Sequence, residues 1–238
     1  MGMALSPVTQ ADWCLAGVTI FAGLPGKTLE RVQQRCSWRR YEPAEVIVDY
    51  LDSSDEVFFI ISGEVRVTIY SLAGKAVSFR ELGPGEVFGE YPAIDQGPRS
   101  ASVEARTRCV VATLPGAAFR ELIRSEPVVA QALLPHFVTT IRALTTRVYE
   151  FSTLAVSNRI QAELLRLARL TEADGKSARI APAPTHTEIA SRVSTHREAV
   201  TRELARLSRI GLIERQRNAL LVKDVERLAE MVHAATGE

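Results

Sequence analysis

Val65, Val67 and Ile69 alternate with Glu64, Arg66, Thr68 and Tyr70, and a period of two places one set on a buried face and the other toward solvent, as in a half-buried strand. This strand-like character runs from about Tyr41 to Leu114 and is punctuated by Gly63, Gly74, Gly83 and Gly85, with Ser71 to Lys75 as a hairpin connection. A short helix is expected before it, around Thr28 to Arg35. The sum predicts a small antiparallel barrel or roll. Further on the period changes. Apolar residues fall at Leu134, Phe137, Ile141, Leu144, Val148, Phe151 and Ala155, separated by gaps of three and four in unbroken alternation, the seam of a coiled coil. Ser125 is placed to cap this helix and Pro127 suits its first turn. Pro135 removes a helical hydrogen bond and predicts a bend. The seam points to a parallel or near-parallel homodimer; packing of the helix on its own barrel is the alternative.

The last third follows a third pattern. Thr185-His186-Thr187-Glu188 is a capping box opening a short helix through Ile189, Ala190 and Val193, and Thr195-His196-Arg197-Glu198 is a second box ten residues later. The second helix turns Ala199, Val200, Leu204 and Leu207 inward and stops at Gly211. Ile210 to Val222 then reads as a two-stranded wing with a polar turn, which makes the whole a winged helix-turn-helix. Its second helix exposes His196, Arg197, Glu198, Thr201 and Arg202 near its start, where a recognition helix meets base edges in the major groove. Arginine pairs with guanine O6 and N7, and glutamate accepts from the cytosine amino group. Thr185, His186 and Thr195, at the two helix starts, complete the candidate DNA contacts. A solvated face with a Glu198–Arg202 ion pair is the plainer reading. Ser194 stands at the turn, where glycine is common.

Between the strands and the seam lies the densest chemistry, Phe88-Gly89-Glu90-Tyr91-Pro92-Ala93-Ile94-Asp95-Gln96-Gly97-Pro98-Arg99-Ser100-Ala101-Ser102-Val103. A phosphate diester needs a planar bidentate cation, supplied by Arg99, backbone N–H groups and a small hydroxyl such as Ser100. A ribose hydroxyl needs an acceptor, which Glu90 can be. Gly89 lets backbone come close where a Cβ would intrude, and Tyr91-Pro92-Ala93 can open a short helix. A glycine-rich loop with a surface arginine is the competing reading. Charge adds to the picture through its distribution. Lys and Arg number 29 against 28 Asp and Glu, but residues 1–126 carry a net −3 and residues 159–217 a net +5, so the second segment suits a polyanion. With 238 residues, two modest domains fit better than one. Cys14, Cys36 and Cys109 are odd in number and far apart, which argues against disulfides, zinc and iron–sulfur clusters and suggests small core hydrophobes. His136, His186, His196 and His233 show no metal-ligand or catalytic spacing. No Ser/His/Asp or Cys/His grouping suggests an enzyme. No apolar run approaches the roughly 18 residues of a membrane span, and the start lacks a signal-peptide pattern, so a cytoplasmic protein is expected.

The cassette resembles the phosphate-binding cassette of cyclic-nucleotide-binding domains in its Phe-Gly-Glu opening and its Pro-Arg-Ser-Ala close. With the seam and the Arg197-Glu198-x-x-x-Arg202 pattern, nearly the whole chain resembles the cyclic-AMP receptor/fumarate-nitrate regulator family. The resemblance implies an α+β chain with an N-terminal cyclic-nucleotide-binding β-roll over 1–126, a dimerisation helix over 127–157 and a winged helix-turn-helix over 158–238. It assigns nucleotide binding to Gly89, Glu90, Tyr91, Arg99, Ser100 and Ala101. The central-helix pair that meets the base in the receptor protein falls on Leu144 and Thr145, so only one hydroxyl is kept; Tyr91 stands where an aliphatic residue is more usual. The ligand implied is cyclic AMP, cyclic GMP or both, with no other cofactor, no metal and no catalytic residue. The implied partners are double-stranded DNA with palindromic TGTGA-like sites, a second copy of the chain, and RNA polymerase, with no membrane. A cyclic-GMP-specific regulator, or one answering to another effector or active without ligand, shares the same architecture.

Overall fold

The computed structural model describes residues 13–70, 76–171, 173–174 and 176–236. The hairpin connection expected at Ser71 to Lys75 lies outside the described residues. Two short 3-10 turns, Leu15–Gly17 and Thr19–Phe21, precede helix α1 (Gly26–Gln34). Strands β1 (Ser37–Tyr41), β2 (Val46–Val48), β3 (Val57–Ser62), β4 (Val65–Tyr70), β5 (Ala76–Leu82) and β6 (Val87–Phe88) follow, then helix α2 (Glu90–Asp95), then β7 (Ser102–Ala105) and β8 (Cys109–Leu114). Helices α3 (Gly116–Ser125), α4 (Pro127–Thr153) and α5 (Val156–Arg169) come next. The chain closes with β9 (Ala173–Asp174), β10 (Ser177–Ile180), α6 (His186–Arg192), α7 (Arg197–Arg209), β11 (Ile213–Gln216), β12 (Ala219–Val222) and α8 (Val225–Thr236). These elements fall into two compact units, one holding the described residues up to 70 and 78–140, the other the described residues 76–77 and 141–236.

The first unit is built on two antiparallel four-stranded sheets, ordered β1-β8-β3-β6 and β2-β7-β4-β5. β3 and β8 pair from Val57↔Leu114 to Ser62↔Val110 with a register shift after Ile60, and β4 pairs with β7 from Val65↔Ala105 to Thr68↔Ser102. Val65, Val103, Ile60, Val111 and Phe88 fill one cluster, while Phe59, Leu114, Phe119, Leu122 and Val129 bind α3 and the start of α4 to the other. Helix α3 is additional to the elements expected from the sequence. Ala118, Phe119 and Leu122 lie on one face of it and are buried. Ser125, expected as the cap of the long helix, is instead the last residue of α3 and donates to the Leu122 carbonyl at 3.4 Å; Glu126, at φ −126° and ψ 87°, separates the two helices.

Helix α4 is helical throughout, Pro135 included. Among the described residues it is the one helix long and apolar enough to cross a membrane, yet its apolar residues follow a stripe interrupted elsewhere by Thr139, Thr140, Arg142, Arg147 and Glu150. Leu134, Ile141 and Val148 are each at least 60% exposed, so most of the expected seam is uncovered. Ala155 is not part of it. It caps α5 in an extended conformation, φ −60° and ψ 155°.

The second unit packs α5, α6, α7 and α8 with a sheet ordered β11-β12-β10-β9. Ile160, Leu164, Ile189, Val200, Leu207, Leu212 and Leu228 form its core. The wing is the antiparallel β11–β12 pair, Ile213↔Val222 to Gln216↔Ala219. Strands β9 and β10 and helix α8 add to the winged motif read from the sequence.

Candidate functional site

The cassette begins where Phe88 stacks on Phe58, ring centroids 4.8 Å apart and nearly parallel. Gly89 follows at φ +77°, a region where L side chains are strained. A Cβ there would meet Arg99 Nη1 at 2.6 Å and the Glu56 carbonyl at 2.9 Å. The group that comes close is therefore the chain's own arginine, a more specific reason for this glycine than ligand approach. Arg99 is 2% exposed, which sets aside the reading of a surface arginine. Nη1 donates to the carbonyls of Glu56 at 2.9 Å and Gly89 at 3.1 Å, Nε donates to Ser54 Oγ at 3.0 Å, and Nη2 faces Glu56 Oε2 at 3.4 Å. The Phe58 ring lies 5.3 Å from the guanidinium carbon. Burial pulls the Arg99 guanidinium below its ordinary range, and Glu56, Asp52, Asp55 and Glu90 oppose that pull. An arginine so surrounded stays charged.

Glu90 opens α2 and is 5% exposed. His136, from α4, places Nε2 3.3 Å from Glu90 Oε1, and no sequence pattern pointed to that partnership. Tyr91 packs its ring 6.0 Å from Phe137, and burial followed by the Glu90 charge raises its hydroxyl, with Arg80 acting the other way. Ser100 is exposed and Ala101 half-buried. Structure thus gathers Gly89, Glu90 and Arg99 with three residues missed in the sequence, Ser54, Glu56 and His136. Leu144 and Thr145 belong to the second unit; both are exposed, and Thr145 Oγ1 donates to the Ile141 carbonyl at 2.9 Å.

In the helix-turn-helix, the first capping box forms. Glu188 N donates to Thr185 Oγ1 at 3.1 Å and Thr185 N donates to Glu188 Oε2 at 2.7 Å. The second box does not. Ser194 takes φ +51°, Thr195 N closes back on the Ala190 carbonyl at 2.9 Å, and α7 starts one residue later than expected, at Arg197 with His196 as its N-cap. Thr195 is displaced from the capping position, which releases Glu198 from a capping duty. His196, Arg197, Glu198 and Arg202 are exposed, and no side-chain hydrogen bond or ion pair engages Arg197, Glu198 or Arg202 among the described residues. The Glu198–Arg202 pair of the plainer reading is absent there.

His186 and Thr201, read as DNA contacts, meet each other. Thr201 Oγ1 donates its one proton to the Arg197 carbonyl at 3.0 Å and so accepts from His186 Nδ1 at 2.8 Å, while Arg215 Nη1 approaches His186 Nε2 at 3.1 Å. Arginine cannot accept, so Nε2 must, and this network assigns the neutral Nδ1–H imidazole. Burial first, then Arg215 and Arg197, holds the His186 pKa below its usual value. A base with a lowered native pKa stabilises the fold above its unfolded value of about 6.5 and loses that contribution as pH falls through its native value. The destabilisation caused by His186→Gln should therefore shrink between pH 7.5 and pH 5. Melting curves of both proteins across that range measure it, and parallel curves would refute the neutral assignment.

Behind this surface lies a buried ionic cluster. Glu163, 2% exposed, pairs with Arg192 at 3.1 Å and with Arg166, which also reaches Glu150 at 2.8 Å. Glu203, also buried, accepts from Gln161 Nε2 at 2.6 Å and from both Arg206 donors. No group of three or more His, Cys, Asp or Glu among the described residues could hold a metal ion. Of the cysteines, Cys109 is buried, Cys36 is half-buried with its thiol pushed up to about 12 by burial, and Cys14 is exposed, against the expectation of a core position.

The cyclic nucleotide-binding domain family matches residues 38–126, and the Crp-like helix-turn-helix domain family matches residues 158–231. The cAMP-activated global transcriptional regulator Vfr of Pseudomonas aeruginosa is 30% identical over 204 residues, 82% of this chain and 94% of its own. The chain belongs to the Crp-like transcription regulators. Among other members of that family, a CRP-like cAMP-activated global transcriptional regulator of Mycobacterium tuberculosis is 26% identical over 219 residues, 92% of this chain and 98% of its own. In fold, this Crp-like regulator is similar to the c-di-GMP responsive global regulator CLP of Xanthomonas campestris, with a TM-score of 0.73 at 20% identity over 83% of this chain and 99% of that one. A Crp-like regulator carries a nucleotide-binding and a DNA-binding domain, and the cassette and α7 lie inside the two matched spans.

Proposed function

We propose that this regulator binds cyclic AMP, with cyclic GMP as the second candidate, through the Arg99 cassette, and that a homodimer of it recognises palindromic TGTGA-like DNA. The observation that carries the ligand reading is the fixed orientation of Arg99. Two backbone carbonyls hold Nη1, which aims the Nε and Nη2 edge, the pair of donors that suits a phosphate diester. Glu90, the acceptor for a ribose hydroxyl, opens α2 nine residues before Arg99 in the same unit. The names of Vfr and of the mycobacterial relative favour cyclic AMP. Thr145 retains one hydroxyl for the base and Leu144 offers none, which leaves cyclic GMP in contention.

Dimerisation is supported by the uncovered stripe of Leu134, Ile141, Leu144 and Val148 on α4, since two such helices bury the seam against each other. A two-fold dimer presents two copies of α7, so its site should be a palindrome with half-sites one helical turn apart. Random-sequence selection with the full chain and cyclic AMP tests this. The enriched motif should be palindromic with guanines at mirrored positions, and Arg197→Ala or Arg202→Ala should cost about 1–3 kcal/mol and flatten the preference at one base pair. A non-palindromic motif, or a uniform loss at every position, would refute this reading of α7. Nucleotide acts as an effector only through a difference in its affinity for the DNA-competent and DNA-incompetent states.

A further inference from the structure

Arg99 has two edges, and they are used differently. The Nη1 side is spent on backbone, the carbonyls of Glu56 and Gly89. The other edge, Nε and Nη2, is met by side chains alone: Ser54 Oγ at 3.0 Å and Glu56 Oε2 at 3.4 Å. A hydroxyl and one carboxylate oxygen thus stand on the two donors that a bidentate phosphate would take. Neighbouring carboxylates are committed elsewhere. Asp55 accepts from Arg120 at 3.1 Å, Asp52 Oδ1 accepts from Ser54 N at 3.1 Å, and Glu90 faces His136. Glu56 has no other side-chain partner among the described residues, and its side chain is 43% exposed. It can swing away by rotating about its own bonds while its carbonyl keeps Nη1 in place.

We propose that Glu56 is an internal anion that competes with the nucleotide phosphate for Arg99 and thereby sets the affinity threshold of the site. The proposal rests on the cyclic-nucleotide reading above. The contact is long, single and half-exposed, and such a pair contributes little. A phosphate that makes two short charged bonds to the same edge can displace it. Two anions cannot share that edge, so the carboxylate must leave or weaken the ligand's hold. Nucleotide affinity is therefore lower than the arginine alone would give, and Glu56 is the residue that determines by how much. Ser54, neutral, has no such effect and can hydrogen-bond to either occupant.

Titration calorimetry of the full chain with cyclic AMP and cyclic GMP, on the native protein, Glu56→Gln and Glu56→Ala, tests the role. Both variants should bind about three- to tenfold more tightly, the order expected when a weak, half-exposed ion pair stops competing. Glu56 is at the surface end of its side chain, and unchanged melting temperatures would verify that folding is intact. Unchanged or weaker binding by both variants would overturn the proposal and make Glu56 a support that merely orients the arginine. Heat from the variants with none from the native protein would be the strongest form of support. Absence of heat from all three would overturn the cyclic-nucleotide reading itself and Glu56's role with it, an outcome distinct from equal affinities, which would remove only the role.

Discussion

Arg99→Ala should abolish cyclic-nucleotide binding and also lower the melting temperature. The first effect follows from the two donors lost to the phosphate. Hydrogen bonds to charged groups are worth about 1.5–3 kcal/mol each, so losing two weakens binding by about 100-fold or more. The second effect is one that a surface arginine would not show. Removing a side chain that is 2% exposed leaves a void and strands the carbonyls of Glu56 and Gly89, at about 1–3 kcal/mol for each buried acceptor left unpaired. Arg99→Lys separates the two. It retains charge and most of the volume, but an ammonium cannot serve two carbonyls and a bidentate anion together, so binding should fall while the melting temperature drops less. Calorimetric titration and thermal melts of both variants provide the readout. Native-like affinity in Arg99→Ala would remove the cassette from the binding site, and an unchanged melting temperature would contradict its buried hydrogen bonds.

Glu163→Ala should destabilise the second unit by about 3–5 kcal/mol, the cost of breaking a buried ion pair from one side. Glu163 is enclosed on α5 between Arg166 on the same helix and Arg192 on α6, and Arg166 is shared with Glu150 on α4. Arg147 is half-buried, and burial works against its charge while Glu163 is the first of the groups supporting it. Deleting the carboxylate leaves these cations facing Glu150 as their remaining nearby carboxylate. Glu163→Gln, which preserves the volume and some hydrogen bonding, should cost less. Urea unfolding of the two variants measures both, and a loss below about 1 kcal/mol for Glu163→Ala would mean that water reaches the cluster. Because the same residues connect the long helix to the first helix of the DNA-binding motif, the variant should also lose DNA affinity.

The large divisions of this protein were legible in its sequence because each rests on a local rule. Alternation around Val65 to Ile69 reports a half-buried strand whatever it pairs with. The spacing from Leu134 to Phe151 reports a stripe on a helix, and the Thr185–Glu188 box reports a helix start that its own four residues satisfy. The cassette is a linked pattern in a short stretch, so Gly89, Glu90 and Arg99 could be singled out without a fold. Two misreadings concern local turns at helix ends, and the others turn on contacts distant in sequence. Thr195 looked like a cap, but the turn at Ser194 is closed by the Ala190 carbonyl and moves the helix start to Arg197. Ser125 looked like a cap because nothing local distinguishes the start of α4 from the end of α3. His186 and Thr201 are 15 residues apart and Arg215 is on another element; only folding makes them neighbours. The sequence by itself determined which residues could carry phosphate and base recognition. Tertiary structure decided that Arg99 is buried and held on the Glu56 and Gly89 carbonyls, that the Glu56 side chain stands on its other edge and that His136 meets Glu90, because Glu56 lies 43 residues from Arg99 and His136 lies 46 from Glu90 and such pairings leave no periodic trace in the chain.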